Sequence, residues 1–255
     1  MDKKISIIIV SHNLTSCLKR CITRIEEHTE RKLVEEIIIV DNGSAPPYRK
    51  DDFAQVTSFP VSFMRLDTNG SFAAANNRAV RMAKGYYVCF MNNDIEVIKG
   101  WLPPLYRLIE SDERIGAVGP KMIFPDGTIQ FAGYERDAKT SFQKHKFRNG
   151  SIEHTIPEAN CPGPVSALTG ACLLVRREDA QLDERYWYGC EDVDLCVHLK
   201  QNEKVIFYQP QSVVIHHEET TRASGLIAID FEKNRALFKK KWGRNWEQLL
   251  WKVVT

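Results

Sequence analysis

Short apolar runs, each stopped by a cluster of small polar residues, recur through the first hundred positions of the 255-residue chain and constrain its fold more than any other feature. Residues 5–10 end at Ser11-His12-Asn13, residues 36–40 at Asp41-Asn42-Gly43-Ser44, and residues 86–91 at Asn92-Asn93-Asp94. Residues 61–66 form a further run. Between them Leu14, Leu18, Cys21 and Ile25 recur at helical spacing, and the Ala-rich stretch 72–84 gives a second helix. Continuous apolar strands alternating with helices predict a parallel sheet covered by helices, an α/β fold. In such sheets ligands bind beyond the carboxyl ends of the strands, so the three polar clusters are expected to converge on one crevice.

The second half is less regular. Residues 101–111 read as helix, 115–124 as extended, and 126–164 as a turn-rich stretch of the kind that faces a bound substrate. Order returns at 167–175, followed by a helix over 193–201, strands at 205–208 and 213–215, and a helical tail over 231–254. One large domain fits this length: residues 1–220 as its main body and 221–255 as a basic helical extension.

With 35 basic and 33 acidic residues the net charge is +2, too small a field to draw the chain onto nucleic acid. The run 5–10 is too short for a signal peptide or a membrane span. Seven cysteines, an odd number without Cys-x-x-Cys pairs, point to a reducing compartment, and Cys17 and Cys21 on one helix face read as core thiols. Asn-x-Ser/Thr patterns begin at Asn13, Asn42, Asn69 and Asn149, and a glycan on the first three would obstruct the expected crevice, so a cytoplasmic setting is expected. In the tail, Phe231, Phe238, Trp242, Trp246 and Leu250 alternate with Lys233, Arg235, Lys239, Lys240, Lys241 and Arg244. Such a helix can lie on the inner face of an anionic membrane, near lipid-linked acceptors, or pack on its own domain.

Four groups of residues could carry chemistry. Asp41 closes a buried strand, where a carboxylate can accept from a uracil or thymine N–H or a ribose hydroxyl; the alternative is a cap on the Asn-Gly turn. Asp94 closes the next strand, where a carboxylate among small polar residues can share a magnesium or manganese ion with diphosphate oxygens; the alternative is a solvated turn. His216 follows residues 213–215 and should also point from a strand end, as a metal ligand or a structural histidine. His217 faces the opposite way on an extended chain, so only one of the two can reach a metal. Glu191-Asp192-Val193-Asp194 sets three carboxylates at a helix start, where the helix dipole accounts for one or two. The aromatic run Tyr186-Trp187-Tyr188 before them would desolvate a carboxylate and raise its proton affinity, as suits a general base.

Taken together, Ile7-Ile8-Ile9-Val10-Ser11-His12-Asn13, Val40-Asp41-Asn42-Gly43-Ser44, Asn69-Gly70-Ser71-Phe72-Ala73, Asn92-Asn93-Asp94, the stretch from Thr169 through Arg177, and Glu191-Asp192-Val193-Asp194-Leu195-Cys196 resemble the family 2 inverting glycosyltransferases. The likeness runs over nearly the whole chain and is greatest to the bacterial branch that builds surface polysaccharides, rhamnosyltransferase-like members included. It implies a GT-A fold and transfer from a UDP- or dTDP-sugar to a glycan or lipid-linked acceptor, dependent on Mn2+ or Mg2+. By the same match Asp41 contacts the donor's base or ribose. Ser11, Asn13, Asn42, Gly70, Phe72, Asn92 and Asn93 surround the donor, and Arg78 reaches ribose or phosphate. Asp94 is the metal-binding end of the family's Asp-x-Asp motif, His216 a second metal ligand, and Asp192 the base of its Glu-Asp motif beside Glu191. Asn92 stands at the first position of the Asp-x-Asp pattern, which leaves one carboxylate fewer for the metal.

Two other classes fail on the sequence. A nucleotidyltransferase or a dinucleotide oxidoreductase needs a Gly-rich loop after its first strand, and Ser11-His12-Asn13-Leu14 is not one. A non-catalytic relative, docking within a polysaccharide assembly, is the remaining alternative, and retention of Asp94, Asp192 and His216 together weighs against it.

Overall fold

The computed structural model describes residues 3–149, 156–218 and 230–255. Strands β1 (Ile5–Ser11), β2 (Val34–Asn42), β3 (Val61–Leu66) and β4 (Tyr87–Asn92) are parallel, in the order β4-β1-β2-β3. Helix α1 (Thr15–His28), the single turn α2 (Asp51–Ala54) and α3 (Phe72–Met82) connect them. β1 and β4 are covered on both faces, which is why they read as unbroken apolar runs rather than alternating ones. α1 buries Cys17, Leu18, Cys21, Ile22 and Ile25, and α3 starts where the Ser71 side chain accepts from the Ala74 N–H, a helix N-cap.

Beyond β4 come β5 (Ile95–Val97), α4 (Leu102–Ser111), β6 (Ile115–Ile123) and β7 (Ile129–Phe131). The stretch expected to be turn-rich also holds a hairpin of β8 (Tyr134–Arg136) with β9 (Gln143–His145), and a short β10 (Gly163–Pro164). β11 (Cys172–Arg176) inserts antiparallel between β4 and β6. Its amino end therefore lies at the same edge as the carboxyl ends of β1 and β4, and the Asn92 N–H donates to the Ala171 carbonyl at 2.9 Å. After α5 (Glu191–Gln201), residues 205–216 form one strand, β12 (Val205–His216), where two were expected. An irregularity between Gln209 and Val213, around Pro210, breaks the apolar pattern without ending the strand.

The tail forms α6 (Phe231–Trp242) and α7 (Trp246–Trp251), and the domain boundary expected at residue 220 lies outside the described residues. Except for the exposed Phe231, its aromatic face packs on the domain and not outward as a membrane-binding face would. Phe238 and Leu250 are fully buried, and Trp246 stacks on Phe142 with ring centroids 4.7 Å apart. The partner is the loop of the β8–β9 hairpin, whose Ser141 carbonyl also accepts from Trp251 Nε1 at 3.1 Å. No helix among the described residues is long and apolar enough to cross a membrane.

Candidate active site

At the carboxyl edge of the sheet lies a cleft of about 370 Å³, into which the polar ends of β1, β2, β4 and β12 and the amino end of α5 all open. It brings Asn42, Gly70, Phe72, Asn92, Asn93 and Asp94 together with Glu191, Asp192 and His216.

β5 pairs antiparallel with the end of β12, with Ile95 opposite His216 and Glu96 opposite Ile215, and this register decides which histidine meets Asp94. His216 Nε2 lies 3.2 Å from Asp94 Oδ1, whereas His217 turns to the other side and its Nε2 lies 2.6 Å from Glu96 Oε1. The buried Gln130 holds His216 at both ends: its Oε1 accepts from His216 Nδ1 at 2.6 Å and its Nε2 donates to the His216 carbonyl at 3.1 Å. His216 Nε2 thus faces the Asp94 carboxylate, and Asn92 Nδ2 lies 3.4 Å from the same nitrogen. The separation of the imidazole nitrogen and the carboxylate oxygen is close to the roughly 3.0 Å edge between ligands at about 2.1 Å from a small divalent ion. The donor set fits Mn2+ or Mg2+. No group of three or more His, Cys, Asp or Glu side chains suited to a metal is found among the described residues.

Asp192 stands on the opposite wall, partly open to the cleft. The Gly170 N–H donates to its Oδ2 at 2.8 Å and the Val193 N–H to its Oδ1 at 2.7 Å. Gly189 and Cys190 both adopt positive φ, 91° and 75°, which turns the chain so that the first turn of α5 faces inward. Burial pushes the Asp192 carboxyl above its ordinary range against these two bonds. Glu191 is more deeply placed: its Oε2 has no hydrogen-bond partner, and burial, with Asp192 beside it, pushes its carboxyl up to about 8. Asp192, with two amides fixing its carboxylate, is the member of the pair suited to carry the charge, and Glu191 the proton.

The donor side is built by side chains that tie loops together. Asn42 accepts from the Gly70 N–H at 2.9 Å and donates to the Asn69 side chain and the Gly70 carbonyl, also at 2.9 Å. Gly43 has φ of 75°, and a Cβ there would stand 2.5 Å from the backbone nitrogen of Asn69, so only glycine lets the two loops approach. Asn93 donates to the Ser11 hydroxyl at 2.8 Å, and Asn13 accepts from the Ala45 N–H at 2.7 Å.

Four residues expected at the donor do not line the cleft: Ser11, which is buried beneath Asn93; Asn13, which is exposed on its loop; and two more, Asp41 and Arg78. Asp41 is fully buried beneath its loop, where it accepts from the Ser44 N–H at 2.9 Å and the Tyr48 N–H at 3.0 Å and pairs with Arg65. Against the upward push of burial, these bonds hold its carboxyl below the usual range. The turn-capping role is the one it has here, extended by a cation that sequence distance hid. Arg78 lies exposed on α3 and does not line the cleft, because Ala75, Asn76, Asn77 and Ala79 occupy the buried face of that helix. Gln130, Tyr134, Gln143 and His145 do line it, and sequence reasoning named none of them. The turn-rich stretch pointed to the region, but polar residues in short irregular strands carry no periodic signal.

Comparison with known proteins agrees with this geometry. Residues 6–182 match Glycosyl transferase family 2. The chain is 29% identical over 232 residues to the O-antigen biosynthesis protein RfbC of Myxococcus xanthus, covering 88% of this chain and 18% of that protein. It is 26% identical over 242 residues to the N-acetylglucosaminyl-diphospho-decaprenol L-rhamnosyltransferase of Mycobacterium tuberculosis, covering 86% of this chain and 77% of that one. The chain spans less than half the length of several curated relatives, 43% in the case of the pre-mycofactocin glycosyltransferase of M. tuberculosis. Among solved structures it resembles GalNAc-T7 with UDP, GalNAc and Mn2+, at a TM-score of 0.69 and 20% identity over 84% of this chain and 43% of that one. It also resembles the mannosyltransferase PcManGT of Pyrobaculum calidifontis with GDP-Man and Mn2+, at a TM-score of 0.59 and 14% identity over 84% of this chain and 56% of that one. These likenesses show the GT-A fold, and with the match over residues 6–182 they establish that the chain belongs to glycosyl transferase family 2.

Proposed function

We propose that the chain transfers a sugar from a nucleoside-diphosphate donor, UDP- or dTDP-linked, to a hydroxyl of a glycan or lipid-linked acceptor, with inversion at the anomeric carbon. Synthesis of a cell-surface polysaccharide is the proposed setting, as the names of the relatives suggest. One observation carries the reading: a partly buried, amide-oriented carboxylate and an Asp–His pair suited to a metal open into one cleft.

Asp94 and His216 would hold the divalent ion, which supplies positive charge to the departing diphosphate. Asn42, Gly70, Asn92 and Asn93 form the donor wall, with Ser11, Asn13 and Asp41 fixing the loops behind it. Asp192 takes the proton from the acceptor hydroxyl as that oxygen attacks from the face opposite the leaving group, and a single base on the acceptor side is what one inverting displacement needs. Phe72, Trp187 and Tyr188 enclose the reacting groups and exclude water. The reading places the chain in a reducing, cytoplasmic setting, as seven unpaired thiols suit.

The test is release of nucleoside diphosphate when the purified chain is incubated with UDP-, dTDP- and GDP-sugars and Mn2+, with Asp192→Asn as control. Release from at least one donor, lost in the variant, is expected. No release from any donor, with UDP still bound, would favour a docking module instead.

A further inference from the structure

The carboxylate of Asp194, also in the first turn of α5, points away from the cleft and is almost fully buried. Three donors converge on it: the Tyr186 hydroxyl at 3.1 Å, Lys241 Nζ at 2.6 Å and Trp242 Nε1 at 2.8 Å. Lys241 also reaches Asp183 at 2.8 Å, so one ammonium joins α6 to both ends of the segment that carries the aromatic run. Higher on α6, Asn234 Nδ2 donates to the Tyr188 carbonyl at 2.8 Å, and Tyr188 lines the cleft.

The far end of α5 is tied down in the same way. Lys200, buried, donates to the carbonyls of Leu249, Leu250 and Lys252 at 2.9, 2.8 and 3.0 Å, closing the last turn of α7 with a cation. Residues 231–252 thus hold α5 at both ends and, through the Phe142–Trp246 stack, hold the β8–β9 hairpin on the other side of the cleft. α5 and both C-terminal helices lie beyond residue 182, where the family match stops, whereas the hairpin they hold lies within it.

We infer that the C-terminal helices are a strap that positions the proposed base, with Asp194 as its anchor and Lys241 and Trp242 as positioning residues. The inference rests on the reading of Asp192 given above. α5 enters through Gly189 and Cys190, both at positive φ, so its orientation is set by what its first turn binds. On the cleft side that is the Gly170 amide, through Asp192; on the outer side it is Lys241, Trp242 and Tyr186, through Asp194. A charged carboxylate buried among three donors has a narrow choice of positions. The basic and aromatic residues of the tail, which suggest a membrane surface in sequence, are in part consumed by this task.

The experiment uses the full chain with Trp242→Phe, which removes the N–H donor but keeps an aromatic ring, and Lys241→Met. Misplacing a reacting group by about 1 Å can cost roughly 100-fold, so nucleoside-diphosphate release from the most rapidly turned-over donor should fall about 10- to 100-fold. Binding of UDP with Mn2+ should change less than about 2-fold, because the donor wall is not touched, and amide exchange over residues 186–196 should accelerate. In an Asp192→Asn background, Trp242→Phe should add little further loss, a coupling that general loosening of the fold would not produce. Wild-type turnover in both variants, full additivity on Asp192→Asn, or unchanged exchange over residues 186–196 would overturn the strap. If the wild-type chain releases no nucleoside diphosphate, the proposed function fails, and the exchange measurement still decides whether the strap holds α5.

Discussion

The amide of Gly170 and the carboxylate of Asp192 meet at 2.8 Å across the cleft floor, joining the amino end of an antiparallel strand to the first turn of α5. A Cβ at Gly170 would lie 3.2 Å from Asp192 Cβ, tighter than ordinary contact, and the hydrogen bond draws the same two residues together. Gly170→Ala should therefore push Asp192 out of register, lowering turnover about 10-fold or more while thermal stability changes little. Steady-state rates beside a melting curve check this; unchanged turnover would show that the floor yields without moving the base.

Asp192→Asn nearly preserves shape, yet both carboxylate oxygens accept from backbone N–H groups, so the amide nitrogen of the variant faces a donor whichever way it turns. Loss of a positioned base costs about 10²–10⁴-fold, and turnover should fall within that range. UDP with Mn2+ should still raise the melting temperature of the variant. A product that keeps the donor's anomeric configuration would count against a single displacement with Asp192 as base.

For the metal, His216→Ala should raise the Mn2+ concentration needed for half-maximal UDP binding, and chelator should abolish turnover. Gln130→Leu should have the same sign, since removing a group that orients a ligating histidine typically costs about 10- to 100-fold in metal affinity. His217→Ala should leave the metal requirement near wild type, because that ring pairs with Glu96. Titration calorimetry of Mn2+ in the presence of UDP reads all three, and equal effects of His216→Ala and His217→Ala would remove the basis for assigning the ligand.

Glu191 predicts a pH dependence with a definite sign. Its folded carboxyl is pushed up to about 8, above the ordinary value of 4.5, so the folded protein keeps a proton that the unfolded chain releases. The stability tied to that proton is complete below pH 4.5 and declines as pH rises through about 8. Glu191→Gln, which cannot ionise, should flatten the fall in melting temperature between pH 5 and pH 8, an interval set by those two values. An unchanged slope would mean that another group carries the proton.

The residues that close β1, β2 and β4 are legible one strand at a time. Their apolar runs and polar stops are properties of contiguous residues, and the parallel order follows from the helices between them. Asp94, Asp192 and His216 could be named from such local contexts together with the family likeness. Asp41 and Arg78 could not be placed that way. Whether a strand-end carboxylate faces a ligand or a loop depended on Arg65, and whether an arginine on α3 meets the cleft depended on which helix face the sheet covers.

The sequence by itself determined the family, the fold class and the set of strand ends that form the cleft, because period and punctuation act over a few residues of backbone. Tertiary structure alone decided the pairings within that cleft. The β5–β12 register set His216 rather than His217 beside Asp94, the antiparallel β11 brought Gly170 to Asp192, and Lys241 and Trp242 joined the basic, aromatic tail to α5. Those contacts join residues far apart in the chain, and a side chain's partner there is fixed by how whole elements pack, which no local pattern encodes.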